Sequence, residues 1–302
     1  MFVRFYYNNN YFCKENSESN SVFIEKLTIK CGKIFNEYFN EGICKNKALT
    51  DINQILQNND DAEKIKVKKL LLVLHGWGAS SLLYENICIC LAGLGYFVVC
   101  PDMAGFGENA QMKRSYFVYD YAMEIYRLLE LIDYQQLFLL GHSFGARVIF
   151  KMIELKSKGE INFDIDKIIL TGAAGLKKRL SLFKKIKVMK FKRLKKKCEK
   201  NSKYFKKLSK YGSTDYKNIS SPLLQKTFVR VVNEDFSHVL NLITCPCHLI
   251  FGEKDKETPT YVSRKMKRGI KNATLDKLPG AAHYAFLDKP FEFCSLLDKY
   301  LG

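Results

Sequence analysis

Apolar residues in this chain come in blocks of two kinds. LLLVLH (70–75), YFVVC (96–100), LFLL (137–140), IIL (168–170), HLIFG (248–252) and the shorter stretch from Ala273 to Leu278 are apolar runs of strand length. Between them, residues 81–94, 116–132 and 144–156 carry helical spacing, and in 116–132 one face holds Tyr121, Ile125, Leu128, Leu129 and Ile132. Strands that are apolar throughout and alternate with helices predict an α/β fold: a mostly parallel central sheet covered by helices on both faces.

The pattern is less regular toward the N-terminus. Residues 1–20 are rich in Asn and Tyr and read as a loose terminus. From Val22, VFIEKLTI, then Cys31-Gly32, then KIFNEYF predict a β-hairpin over 22–42. Residues 43–66 read as a surface insertion with a short helix from Asp51 to Gln57, capped by Thr50. The expected organisation is a loose terminus (1–20), a first part of the core (21–174), a basic helical lid (175–243) and a second part of the core (244–302).

Ligands of such sheets sit beyond the carboxyl ends of the strands, so the residues after each strand carry the candidate chemistry. LFLL leads into Gly141-His142-Ser143-Phe144-Gly145, a G-x-S-x-G between a strand and a helix. The small residues allow a tight turn that lifts the Ser143 hydroxyl above the sheet and sets the Phe144 N–H at a helix N-terminus. LLLVL leads into His75-Gly76-Trp77-Gly78, which offers the Trp77 N–H as a second oxyanion donor. His75 reads as a hydrogen-bonded structural residue, and Asp102, after YFVVC and Pro101, as a turn former rather than an acid catalyst. HLIFG leads into Glu253-Lys254-Asp255, and the sixth strand into Pro279-Gly280-Ala281-Ala282-His283. Asp255, with Glu253 as its nearest competitor, and His283 thus supply an acid and a base after the nucleophile. Of the five histidines, only His283 follows both Ser143 and Asp255 at a strand end. His142 is fixed on the elbow, and His238 and His248 lie outside that register.

HGWG (75–78), PDMAGFG (101–107), GHSFG (141–145), FGEKD (251–255) and GAAHYAF (280–286) together resemble the α/β-hydrolase fold superfamily, from about residue 67 to the end. The hairpin at 22–42 is expected to supply that fold's first two strands. The likeness is strongest to the group that includes esterases and C–C bond hydrolases; Ser143 stands where dehalogenases place Asp, and Ala146 where many relatives carry a second Gly. The resemblance implies a serine hydrolase of a carboxylic ester, thioester or related carbonyl substrate. It further implies a Ser143–His283–Asp255 triad, an acyl-enzyme, a helical lid, and no metal or organic cofactor. Two alternatives remain open: C–C bond cleavage on the same residues, and a ligand-binding or signalling protein that keeps the fold without turnover.

Composition changes this picture in one place. The chain has 302 residues, 47% of them hydrophobic, which suits a large α/β domain with an ample core. Its net charge is +18, yet residues 177–210 hold 17 Lys/Arg against one acid, Glu199, so the rest of the chain is nearly neutral. A charge so confined argues against a nucleic-acid footprint over the whole protein. LSLFKKIKVMKFKRLKKK fits a basic amphipathic helix, either the wet side of a lid or an attraction to anionic lipid or acidic substrate. The ten cysteines include no C-x-x-C pair, and Cys88, Cys90 and Cys100 lie in apolar runs, so neither a disulfide framework nor a metal site is expected. The longest uncharged stretch, Asn86 to Pro101, is short for a membrane span and is broken by Gly93 and Gly95, and the start lacks a signal-peptide core. These features point to a reduced, cytoplasmic protein.

Overall fold

The LLLVL run forms the middle of an eight-stranded sheet. The computed structural model describes residues 2–7, 44–46, 65–177, 186, 189–190, 193–194 and 219–302. Its strands are β1 (Phe2–Tyr7), β2 (Cys44–Asn46), β3 (Ile65–Leu74), β4 (Phe97–Asp102), β5 (Ile132–His142), β6 (Lys167–Thr171), β7 (Cys247–Gly252) and β8 (Ala273–Leu278). They lie in the order β2-β1-β4-β3-β5-β6-β7-β8. Every pairing among β3 to β8 is parallel, whereas β1 runs antiparallel to both β2 and β4.

The central strands are apolar at successive positions because the sheet has a core on each face. Leu70, Leu72 and Leu74 of β3 join one cluster with Leu139, Leu170 and Leu249. Leu71 and Val73 join the other with Leu140, Ile169 and Ile250. Helices α2 (Val118–Glu130), α3 (Phe144–Ser157), α4 (Pro222–Asn233) and α5 (Thr260–Gly269) bury their apolar sides in the first cluster. Helices α1 (Glu85–Gly93), α6 (Ala285–Asp288) and α7 (Pro290–Leu301) cover the second. At roughly 1.5–3 kcal/mol for each large side chain so buried, these paired rows fix the register of β3, β5, β6 and β7. In that register Leu74 lies beside Gly141, and Thr171 lies between His142 and Ile250.

Several boundaries differ from the sequence reading. The helix expected to run to 132 stops at Glu130, because Ile132, Asp133 and Tyr134 pair with Ile65, Lys66 and Val67. Residues 81–94 divide into a 3-10 turn, Ser81–Tyr84, and α1.

The largest correction concerns the start of the chain. Phe2–Tyr7 is no loose end but a strand inserted beside β4, in register from Phe2 with Asp102 to Tyr6 with Val98. Val3, Tyr6 and Tyr7 are buried, and Arg4, only 4% exposed, pairs with Asp102. Among the described residues the antiparallel strands ahead of β3 are Phe2–Tyr7 and Cys44–Asn46, so part of the expected 43–66 insertion belongs to the sheet. The hairpin expected over 22–42 and the helix expected from Asp51 to Gln57 lie outside the described residues.

Candidate active site

Ser143 stands at the carboxyl end of β5, where the chain reverses directly into α3. Its φ of 48° and ψ of −103° make it the only non-glycine residue with positive φ among the described residues. Such a backbone costs of order 1–3 kcal/mol and persists only where neighbours hold it. Here the Ser143 N–H donates to the Thr171 carbonyl at 3.1 Å, and the Ser143 carbonyl accepts from the Ala174 N–H at 3.2 Å. Gly145 is required by close approach, since a Cβ there would fall 2.1 Å from the Leu74 carbonyl oxygen. The Phe144 N–H opens α3, where the first N–H groups of a helix have no partner within it.

The loop after β3 lies alongside. The Trp77 ring meets Phe106, Phe144 and Phe228 edge-on, with centroids 4.9, 5.4 and 5.1 Å away, which holds the segment carrying the Trp77 N–H. His75 is buried: its Nε2 accepts from the Met103 N–H at 3.0 Å, and its Nδ1–H donates to the Gly76 carbonyl at 2.8 Å. Burial pulls it down to about 4, so it is a neutral structural histidine. Asp102 accepts from the N–H groups of Ser81 (2.6 Å) and Glu108 (2.9 Å) and faces Arg4 at 3.7 Å. It braces two loops.

Asp255 and His283 come from the loops after β7 and β8 and meet. His283 Nδ1–H donates to Asp255 Oδ2 at 2.9 Å, which leaves Nε2 as a proton acceptor. Asp255, 5% exposed, also receives the N–H groups of Glu257 and Thr258 on Oδ1, both at 2.8 Å, and the Thr258 hydroxyl on Oδ2 at 2.5 Å. Burial alone would raise its pKa, but the hydrogen bonds from His283 and Thr258 outweigh it and hold the carboxyl at about 2. The site base therefore faces a permanent charge at neutral pH.

The competing residues are placed elsewhere. Glu253 is exposed and accepts only a long 3.4 Å bond from the Gly280 N–H. His238 is exposed beside Glu154. His248 is the second residue of β7, near the opposite end of the strand from the site, and stacks on Tyr300. Two contributors escaped the sequence reading. Thr258 is signalled only by the D-x-x-T spacing of an Asx-type turn, and Tyr84, which bonds His142 at 2.7 Å, carries no signal beyond its apolar surroundings. Among the described residues, no group of three or more His, Cys, Asp or Glu is arranged to hold a metal ion.

A strained serine, a carboxylate-held histidine and two loops with N–H groups at the carboxyl ends of the strands can perform nucleophilic chemistry on a carbonyl. The chain is similar to an AB hydrolase superfamily protein, YisY, of Bacillus subtilis, with 24% identity over 76% of this chain and 90% of that one. It is 26% identical to a pimeloyl-[acyl-carrier protein] methyl ester esterase of Wigglesworthia glossinidia brevipalpis, over 76% and 93% of the two chains. An esterase structure from Exiguobacterium antarcticum shares the fold with a TM-score of 0.58 at 23% identity, covering 79% of this chain and 93% of that one. Residues 65–290, from the first central strand to beyond His283, match the family described as serine aminopeptidase, S33, and the chain thus belongs to that family within the α/β-hydrolase fold superfamily.

Proposed function

We propose that this member of the hydrolase fold is a serine hydrolase cleaving a carboxylic ester, thioester or related carbonyl compound. The observation that carries the reading is the Asp255–His283 hydrogen bond at the same carboxyl-end face of the sheet as the strained Ser143 elbow. Similarity to an ester-cleaving relative supports the choice of bond.

In this mechanism His283 Nε2 takes the Ser143 hydroxyl proton as Oγ attacks the carbonyl carbon. Asp255 keeps the imidazole in the Nδ1–H tautomer and stabilises the imidazolium that forms. The N–H groups of Trp77 and Phe144 receive the oxyanion, an effect worth roughly 3–4 kcal/mol per donor in comparable sites. The imidazolium then gives its proton to the leaving group. His283 next removes a proton from water, the hydroxide attacks the acyl carbon, and Ser143 is regenerated with its proton.

Most of the basic part of the expected 175–243 lid lies outside the described residues; its described end, residues 219–243, serves as a cover. Its α4 sets Phe228 on Trp77 and is tied down by Arg147, which donates to the carbonyls of Val231 and Glu234, both at 2.9 Å. The +16 carried by residues 177–210 fits either the wet side of the lid or an attraction to anionic lipid surfaces, which vesicle binding distinguishes. A panel of short p-nitrophenyl esters and thioesters tests the activity. Release that Ser143→Ala and His283→Ala each reduce by at least about a thousandfold supports it; no release above those variants from any substrate rejects it.

A further inference from the structure

The elbow carries a second histidine that the mechanism above leaves idle. His142 is fully buried one residue before Ser143. Its Nδ1 lies 2.7 Å from the Tyr84 hydroxyl oxygen, and its Nε2 lies 3.1 Å from the His283 main-chain carbonyl. The Tyr84 oxygen also accepts the Gly76 N–H at 3.0 Å. Its own single proton is therefore directed to His142 Nδ1, which must act as an acceptor. The imidazole proton then resides on Nε2 and is donated to the His283 carbonyl. Burial, reinforced by the neighbouring His283, holds His142 far below the ordinary histidine range, at about 3, so this tautomer is neutral throughout the working pH range. The ring sits so close to the loop that a Cβ on Gly76 would fall 2.6 Å from Nδ1.

We propose that Tyr84 and His142 are positioning residues that space the base from the oxyanion loop, through the chain Gly76 N–H to Tyr84 hydroxyl to His142 to His283 carbonyl. The inference rests on the serine hydrolase reading and deepens it. Asp255 orients the His283 ring, but that bond does not hold the His283 main chain; His142 does. Gly76 immediately precedes Trp77, so the other end of the chain sets the loop that offers an oxyanion donor. The Tyr84 hydroxyl serves two bonds, as acceptor and as donor, so removing it leaves both the Gly76 N–H and His142 Nδ1 unpaired in a buried site. The expected effect falls on turnover, because small misplacements of reacting groups cost up to about a hundredfold.

The test uses the full chain with p-nitrophenyl acetate, alongside fluorophosphonate labelling and imidazole ¹⁵N–¹H correlation spectra. Tyr84→Phe is expected to lower kcat roughly 10- to 100-fold while KM stays within about threefold. His142→Gln, which keeps an N–H donor for the His283 carbonyl, is expected to retain more turnover than His142→Leu, and it carries the test should Tyr84→Phe fail to fold. In the unaltered protein, His142 should show a protonated Nε2 and a bare Nδ1 from about pH 5 to about pH 9. A proton on His142 Nδ1, or unchanged kcat in Tyr84→Phe while the unaltered protein is labelled at Ser143, would overturn the positioning role alone. Absence of labelling in the unaltered protein would overturn the hydrolase reading and the positioning role with it.

Discussion

Asp255 keeps its charge in a nearly dry position because four donors reach it: two backbone N–H groups, the Thr258 hydroxyl and His283. With its pKa lowered from 3.8 to about 2, its contribution to stability is complete above about pH 4 and is lost as pH falls through about 2. Thr258→Val removes one donor with little change of shape. Urea titration at neutral pH should show a loss of about 1.5–3 kcal/mol, the usual value of a hydrogen bond to a charged group, and kcat should fall several-fold. Unchanged stability and turnover would show that the hydroxyl does not hold Asp255. At this scale the sequence was most legible where a residue follows an apolar strand, as Ser143, Asp255 and His283 do. Tyr84 was not legible, because a tyrosine that packs and a tyrosine that relays a hydrogen bond occupy the same apolar pattern.

Among the elements, β1 was misread for a definite physical reason. FVRFYY places Arg4 at a position whose side chain points inward, and a buried arginine makes sense only with a partner that lies 98 residues away, at Asp102. Local periodicity holds no trace of such a pairing. The central strands were legible because burial on both faces leaves unbroken apolar runs, whereas β5 proved longer at its start, where Asp133 and Gln136 interrupt the run. The pairing gives a direct prediction. Arg4→Met leaves the Asp102 charge buried without its cation, and thermal or urea unfolding should show a loss of about 3–5 kcal/mol. Because Asp102 also braces Ser81 and Glu108, the loss should exceed that from removing an exposed ion pair such as Arg114 with Asp120, which is worth about 1 kcal/mol or less. Equal losses for the two pairs would show that Arg4 is dispensable.

For the whole molecule, two buried histidines beside the site contribute to the pH dependence of stability below neutrality. Burial lowers His75 from 6.5 to about 4 and His142 from 6.5 to about 3. The unfolded chain therefore takes up protons below about pH 6.5 that the folded chain refuses, and stability falls progressively from there to about pH 3. The urea midpoint should drop steadily between about pH 7 and about pH 4, and a midpoint constant over that range would contradict the burial of neutral imidazoles. The fold as a whole was readable because strands and helices alternate, but what the basic stretch does was not, since lysines on a wet face and lysines facing lipid have the same pattern. Among the described residues no helix is long and apolar enough to cross a membrane. Sedimentation with phosphatidylserine vesicles should show binding that fades with salt, over a screening length of about 8 Å at physiological ionic strength, and that is lost when Lys195, Lys196 and Lys197 become Gln. Equal behaviour with neutral vesicles would leave the lysines without a lipid role. The central claim is that Ser143 is the nucleophile, and intact-mass analysis after exposure to a fluorophosphonate tests it most directly. The account predicts one stoichiometric adduct on the Ser143 peptide, absent in Ser143→Ala and greatly slowed in His283→Ala; equal labelling of the unaltered protein and Ser143→Ala, or no adduct at all, would contradict it.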